Sequence, residues 1–441
     1  MASIGIDFGS SYSTVSWINP HSGKPEAVKF NGDGSVKMPS IIFASQDGFH
    51  YGFQAQDYLD EISVLPFSKR MEYLPNFIPS LKRILNPNEQ EWFYGKTYTH
   101  NELLLSFLRH LISQAQLHCG NQYEIDEVII SHPVDFSKSK IELLKSTLKQ
   151  LGYSKVNTQF EPVSAVKGYG LEHDILDKEG VLVFDFGGGT IDVAFIQKRF
   201  GKLVVATEPK GNSHCGGQDV DLALYENLRK IIKSERGYDI SSNGSIDQIA
   251  LSSCRKLKEK FSGENDAYET VILLPINGRL DSYKYRLSRE SFNSLILPIL
   301  SDAIDIADNV IKDVKNKGLH ITRTLLIGGS SQLSLIRELL PAHLDSDTEL
   351  ETCGEKDIVV ALGNIADSFL GESVEKSSKQ QLTIKPKVQC KYPSKAPLDY
   401  NRSIKCLKCN SLHCYHFAEK PGYHCEDCGW EGANVIIKRE F

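Results

Sequence analysis

Two stretches of this chain follow one plan. "SIGIDFGSSYSTVSWI" (Ser3 to Ile18) and "VLVFDFGGGTIDVAFIQ" (Val181 to Gln197) each run from an apolar segment into Asp-Phe-Gly, then small residues, then a second apolar segment. Val181 to Phe184 form a short apolar run, and Ile191, Val193 and Phe195 alternate with Asp192 and Ala194, the period of a strand. Gly187, Gly188, Gly189 and Thr190 between them predict a tight hairpin turn. Without Cβ atoms, such a turn brings its N–H groups close to an anion. Asp7-Phe8-Gly9 recurs as Asp185-Phe186-Gly187, so the chain is expected to hold two related halves that face one ligand.

The glycines alone do not name that ligand. They lack the Lys-Ser/Thr pair of a P-loop and the G-x-G-x-x-G spacing of a dinucleotide fold. Asp185 and Asp192 bracket the second turn. Bare carboxylates repel phosphate, but they suit a site where Mg²⁺ lies between, because Mg²⁺ takes oxygen ligands and keeps several waters. A plain hairpin with two solvated aspartates satisfies the same local pattern. A third glycine turn, in "TLLIGGSSQLSLI" (Thr324 to Ile336), places Gly328-Gly329-Ser330 between a strand and a helix start, a second anion-friendly geometry.

These three segments resemble the two phosphate hairpins and the adenosine motif of the actin-like ATPase superfamily, and within it the ATPase domain of the seventy-kilodalton heat-shock (DnaK-type) chaperones. Further segments match in order: "NGDGSVKMPSIIFA" (31–44), "YGFQAQDY" (51–58), "LKRIL" (81–85), "HPVDF" (132–136), "FEPVSAVKGYGLE" (160–172), "HCGGQDVDLAL" (214–224) and "KDIVVALGNIA" (356–366). The similarity covers residues 3 to 371. It implies an α/β, two-lobed fold of duplicated ribonuclease-H-like lobes with ATP or ADP and Mg²⁺ in the cleft. Asp7, Asp185 and Asp192 are implied to hold Mg²⁺, largely through water. Gly9, Ser10, Ser11 and Tyr12 would face the phosphates from one side, and Gly187, Gly188, Gly189 and Thr190 from the other. Lys82 and Glu161 would orient the attacking water, with Asp192 a proton acceptor and Thr190 part of the catalytic set. Gly216, Gly217, Lys258, Ser262, Gly328, Gly329, Ser330 and Asp357 complete the implied nucleotide contacts. The chain departs from the family at Arg255 (usually acidic), at Glu259 (usually basic) and at Gln332 (an arginine stacked on the base). Weaker nucleotide binding is the expectation. Asn157 stands where the family commonly has an arginine that contacts J-domain cochaperones, so that partner is not implied.

Ten cysteines divide unevenly along the chain. Cys119, Cys215, Cys254 and Cys353 are scattered, as small buried hydrophobes are. Near the end, Cys406, Cys409, Cys425 and Cys428 form C-x2-C-x15-C-x2-C, the spacing of a zinc ribbon with four thiolates around Zn²⁺. Redox pairs are the competing reading, which a reducing cytoplasm disfavours. The division predicted is an ATPase domain over 1–371, a Lys/Ser/Pro-rich linker over 372–400 and a ribbon over 401–441. The family's peptide-binding domain and helical lid are not expected within these residues.

Net charge is −6 and no segment reaches the roughly 20 apolar residues of a spanning helix, so neither nucleic acid nor membrane is indicated. "MASIGIDFGS" lacks the basic-then-apolar pattern of a secretory signal, and the expected location is the cytoplasm. The functional expectation is a slow, Mg²⁺-dependent ATPase switch whose output passes to a protein partner through the linker or ribbon. A nucleotide-dependent scaffold without turnover, a small-molecule kinase and a filament former share the fold and remain alternatives.

Overall fold

The structure, a computed structural model, describes residues 2–30, 34–63, 65, 69, 72–240, 244–263, 265–276, 279–353, 358–370, 414–416, 423–425 and 431–432. Two six-stranded sheets organise it. The first contains β1 (Ala2–Phe8), β2 (Tyr12–Ile18), β3 (Pro25–Ala27), β4 (Ile125–His132) and β5 (Lys155–Phe160), in the order β5-β4-β1-β2-β3. The second contains β6 (Gly180–Phe186), β7 (Ile191–Arg199), β8 (Lys202–Val205), β9 (Arg323–Ile327) and β10 (Glu349–Thr352), in the order β8-β7-β6-β9-β10. A short strand flanks each, Met38–Pro39 on β2 and Lys210–Asn212 on β7.

The two sheets share one topology, as the repeated hairpin predicts. β1 runs antiparallel to β2 and parallel to β4. β6 likewise runs antiparallel to β7 and parallel to β9. Every residue of β6 is buried, which explains its unbroken apolar run: a central strand covered on both faces cannot alternate. Equivalent positions also coincide. Asp7 and Asp185 are each the penultimate residue of their strand; Asp7 pairs with Thr14, and Asp185 pairs with Asp192.

The lobes exchange helices. The helix Glu161–Tyr169 follows β5 of the first lobe, yet Val163 and Val166 join Val181, Val183 and Ala194 of the second in one buried cluster. The helix Val359–Asn364 follows the second sheet, yet Asn364 Nδ2 donates to Ile6 O at 2.9 Å and Ser16 Oγ donates to Ala361 O at 2.5 Å in the first. The two helices cross with their backbones touching. A Cβ at Gly168 would strike Val359 O, and one at Gly363 would strike Ser164 O. Glycine is what permits that approach.

Near the chain's end, Cys414–His416 pairs antiparallel with Tyr423–Cys425, which pairs with Glu431–Gly432. Cys425 therefore sits on a strand of a three-stranded sheet. Cys406, Cys409 and Cys428, the linker 372–400 and Asp357 lie outside the described residues. Cys119, Cys215, Cys254 and Cys353 are buried, as their scatter suggested. No described helix is long and apolar enough to cross a membrane.

Candidate functional site

A cleft of about 440 Å³ lies between the two sheets. Its floor is made by the ends of the equivalent strands. Asp7 from β1, Asp185 from β6, Lys82 and Glu161 all line it. The two turns predicted to bind phosphate face each other across it. A Cβ added to Gly188 would come within 2.5 Å of Ser11 Oγ, and one added to Gly189 within 2.6 Å of Ser10 Oγ. Bulk at either glycine would collide with the facing turn. Gly9 serves its own turn, where a Cβ would strike the carbonyl of Tyr12.

Lys82 is the second residue of the short helix Leu81–Ile84, and Glu161 opens the helix Glu161–Tyr169. Lys82 Nζ donates to Glu161 Oε1 at 2.7 Å, with both side chains about nineteen-twentieths buried. The lysine is thus neither an exposed helix residue nor a solitary charge. Burial opposes its ammonium, but Glu161, Asp7 and Asp192 together raise its pKa. The carboxylates feel the opposite imbalance. Burial, then repulsion from Glu161, pushes Asp7 up to about 7, although Lys82 pulls it down. Burial, then Glu161 and Asp7, pushes Asp185 up to about 8. Asp192 is raised well above its ordinary value by burial and by Glu161, Asp135 and Asp185. Glu161 is raised by its own burial against the pull of Lys82.

One ammonium among four carboxylates leaves this floor short of positive charge. Asp192 sharpens the point. It is fully buried, and its Oδ1 accepts from Val134 N at 2.7 Å, but its Oδ2 has no hydrogen-bond partner. Buried carboxylate oxygens are rarely left so. The donor set is hard oxygen, and it fits Mg²⁺ with phosphate beside it. Among the described residues no group of three His, Cys, Asp or Glu side chains is arranged to grip a metal directly.

The implied nucleotide contacts divide by place. Ser10, Ser11, Tyr12, Gly9, Gly187, Gly188, Thr190, Lys258, Ser262, Gly328, Gly329 and Ser330 line the cleft. Gly189, Gly216, Gly217 and Asp192 stand behind it. Gly216 and Gly217 open the helix Gly217–Arg236 and brace the second phosphate turn from below: Gly217 N donates to Gly187 O at 3.0 Å, and Gln218 N to Gly188 O at 2.7 Å. Lys258 is tied to the same helix, donating to Gly217 O and paired with Asp221, both at 2.8 Å. Gly328 has φ +80 and leads into a 3-10 turn, Gly329–Gln332, rather than directly into an α-helix; the helix Ser334–Leu339 comes after. The N–H groups of an isolated short turn, not a long helix dipole, are what this corner offers.

At the mouth, Arg255 pairs with Glu259 at 3.4 Å and stands 5.6 Å from the centre of the Tyr12 ring, and Lys37 stands 5.4 Å from the same ring. Gln332 and Leu333 line the cleft nearby. Sequence reasoning did not single out Lys37, Arg83, Gln218 or Asp219. Arg83 donates to Gln218 Oε1 at 2.8 Å and to Asp219 Oδ1 at 2.6 Å, joining the two lobes beside Lys82. Its sequence signal is its place beside Lys82 in the matched segment "LKRIL", where no role was read for it.

A family model described as "Hsp70 protein" matches residues 69–374. Similar curated proteins include the chaperone protein DnaK of Ureaplasma parvum serovar 3, in two strains, each 28% identical over 344 residues, which cover 76% of this chain and 53% of the relative. The chaperone protein DnaK of Ureaplasma urealyticum serovar 10 matches with the same identity and coverage. The chain spans about half the length of the curated relatives it matches.

Proposed function

The chain belongs to the Hsp70 protein family, and from that membership we propose that it is a cytoplasmic, Mg²⁺-dependent ATP-binding switch that hydrolyses ATP slowly. The observation that carries this reading is the meeting of two phosphate turns over a floor holding the buried Lys82–Glu161 pair, Asp7 and Asp185, with Asp192 buried behind them. Asp7, Asp185 and Asp192 would hold Mg²⁺, largely through water, and the ion would supply positive charge to offset that of the phosphates. The N–H groups of Ser10, Ser11 and Tyr12, and of Gly187 to Thr190, orient the phosphates from opposite lobes. Lys82 and Glu161 hold the water that attacks, and Asp192 takes its proton. Positioning and electrostatics supply most of the rate in phosphoryl transfer, and fixed, dry side chains do both. Lys258, Ser262 and Gly328 to Ser330 hold the nucleoside end, with Asp357. A nucleotide-dependent scaffold without turnover is the second reading. Arg255, Glu259 and Gln332 favour it, because they replace the charges and the stacking arginine expected around the base.

We infer further that the output passes through residues 372–400 to a ribbon over 401–441. A ligand shifts a two-state equilibrium only by its different affinity for the two states. A γ-phosphate can touch both turns only when the lobes close on it, so ATP favours closure more than ADP does. Hydrogen exchange within residues 372–441 should therefore differ between ATP-bound Lys82→Ala protein and its ADP-bound form. Identical exchange in the two states would leave the switch without this output.

The ribbon is proposed to bind one Zn²⁺ through Cys406, Cys409, Cys425 and Cys428. Support comes from their spacing and from the small sheet that carries Cys425. So small a unit has little core, and metal binding would supply its folding energy. Elemental analysis of protein purified without chelator should find about one Zn²⁺ per chain. Its absence would refute the ribbon. Residues 401–441 carry six Lys/Arg and five Asp/Glu, a balance that points the ribbon to a protein partner rather than to nucleic acid.

A further inference from the structure

Arg83 follows Lys82 in the helix Leu81–Ile84 of the first lobe, but its guanidinium is spent on the second. One nitrogen donates to Gln218 Oε1 and the other to Asp219 Oδ1, and the Arg83 and Asp219 side chains are 14% and 15% exposed. Both partners lie in the first turn of the helix Gly217–Arg236. That turn is hydrogen-bonded to the phosphate hairpin at two points and lies close against it at a third. Gly217 N and Gln218 N donate to Gly187 O and Gly188 O, and a Cβ at Gly216 would meet the Gly189 backbone at 2.6 Å. Asp219 closes the set, its second oxygen accepting from Gly216 N at 2.8 Å. The Arg83 side chain itself passes over the hairpin, with Cδ 3.8 Å from where a Gly189 Cβ would stand.

The contacts form one unbroken path: Lys82, Arg83, Gln218 and Asp219, Gly216 and Gly217, and the Gly187–Gly189 turn. On one side is the pair that would hold the attacking water. On the other is the turn that would hold the phosphate under attack. These two parts come from different lobes, and their separation must be set to a fraction of an ångström, since a misplacement of about 1 Å can cost on the order of 10²-fold in rate. We propose that Arg83 is a positioning residue for phosphoryl transfer: it clamps the second lobe's phosphate turn at a fixed distance from Lys82 and Glu161. An arginine suits the role because its planar fork satisfies two acceptors at once, which a lysine's point charge does not. The pair is only partly exposed, so water screens it weakly.

The inference rests on the ATPase reading, and its test separates the two. Single-turnover phosphate release, ADP affinity by calorimetry and amide exchange at Gly217 and Gln218 are compared for wild type, Arg83→Ala, Arg83→Lys and Gln218→Ala. In Arg83→Ala, release should slow by about 10- to 100-fold while ADP affinity changes by less than about threefold. Exchange at Gly217 and Gln218 should accelerate. Arg83→Lys should recover part of the rate, and Gln218→Ala should lose less than Arg83→Ala. Wild-type release together with wild-type exchange in Arg83→Ala overturns the proposal, as does a rate loss matched by an equal loss of ADP affinity. If Arg83→Ala does not fold, the other two variants decide: unchanged release in both overturns it. Should the wild-type chain release no phosphate, the ATPase reading fails. The exchange at Gly217 and Gln218 in Arg83→Ala still reports whether the clamp exists.

Discussion

Lys82→Ala is expected to cut ATP turnover by about 10²-fold or more while ADP affinity stays within a factor of about three. The geometry dictates the asymmetry. Lys82 lies at the floor, bonded to Glu161, and feels Asp7 and Asp192. Most ground-state contacts to a nucleotide would come instead from the backbone of two turns and from the lobe-two corner around Gly328. Removing the ammonium leaves four carboxylates with no positive side chain among them. It also leaves Glu161 buried and alone, and breaking a buried pair from one side costs about 3–5 kcal/mol. Glu161 relieves part of that by taking a proton, as its raised pKa already inclines it to do. The variant should therefore melt lower without ligand, and MgADP should restore much of the loss. Thermal melts with and without MgADP, run beside the turnover assay, separate a folding defect from a catalytic one. Turnover at the wild-type rate would remove Lys82 from the chemistry.

The second large effect concerns the swapped helices. Gly363→Val should destabilise the fold by about 3 kcal/mol or more, the upper range for overpacking. A Cβ at Gly363 meets backbone, Ser164 O and, at 2.7 Å, Gly168 N, and backbone cannot rotate away as a side chain does. Nor can the helices simply part. Ser164 Oγ donates to Asn364 Oδ1 at 2.6 Å, and Asn364 Nδ2 donates in turn to Ile6 O and to Ser131 Oγ. Separation would strand this buried network, which is costly in a low dielectric. Urea unfolding of the variant beside wild type measures the loss. An unchanged midpoint would mean that the crossing is looser than its geometry indicates.

The hairpins could be read from the chain because every determinant is local. Glycines make the turn, apolar alternation makes the strands, and aspartate sits at the strand's end. The repeat of Asp7-Phe8-Gly9 at Asp185-Phe186-Gly187 even carried the pairing of two lobes with one topology. What escaped was set by distance along the chain. Lys82 and Glu161 lie 79 residues apart, and nothing in "LKRIL" distinguishes a buried, paired lysine from a solvated one. Family resemblance, not local pattern, singled the pair out. Arg83 and Asp219 are 136 residues apart, and resemblance did not single them out either. Gly168 and Gly363 sit inside helices, where glycine ordinarily weakens the element. Their reason is a neighbour's backbone, which no local pattern displays. The third glycine turn was half legible: the expected strand leads into Gly328, but a 3-10 turn, Gly329–Gln332, comes before the helix Ser334–Leu339.

Slow, Mg²⁺-dependent hydrolysis in the cleft is tested most directly by one measurement. Purified protein at a concentration above that of ATP is mixed with γ-labelled ATP and no acceptor, and phosphate release is followed in excess Mg²⁺ and in excess chelator. The expected result is slow, single-exponential release of phosphate with Mg²⁺, and release at the rate of free ATP with chelator. Bound ATP that persists unhydrolysed in Mg²⁺ would contradict the switch and leave a nucleotide-dependent scaffold. A protein that binds neither ATP nor ADP in Mg²⁺ would contradict the site itself.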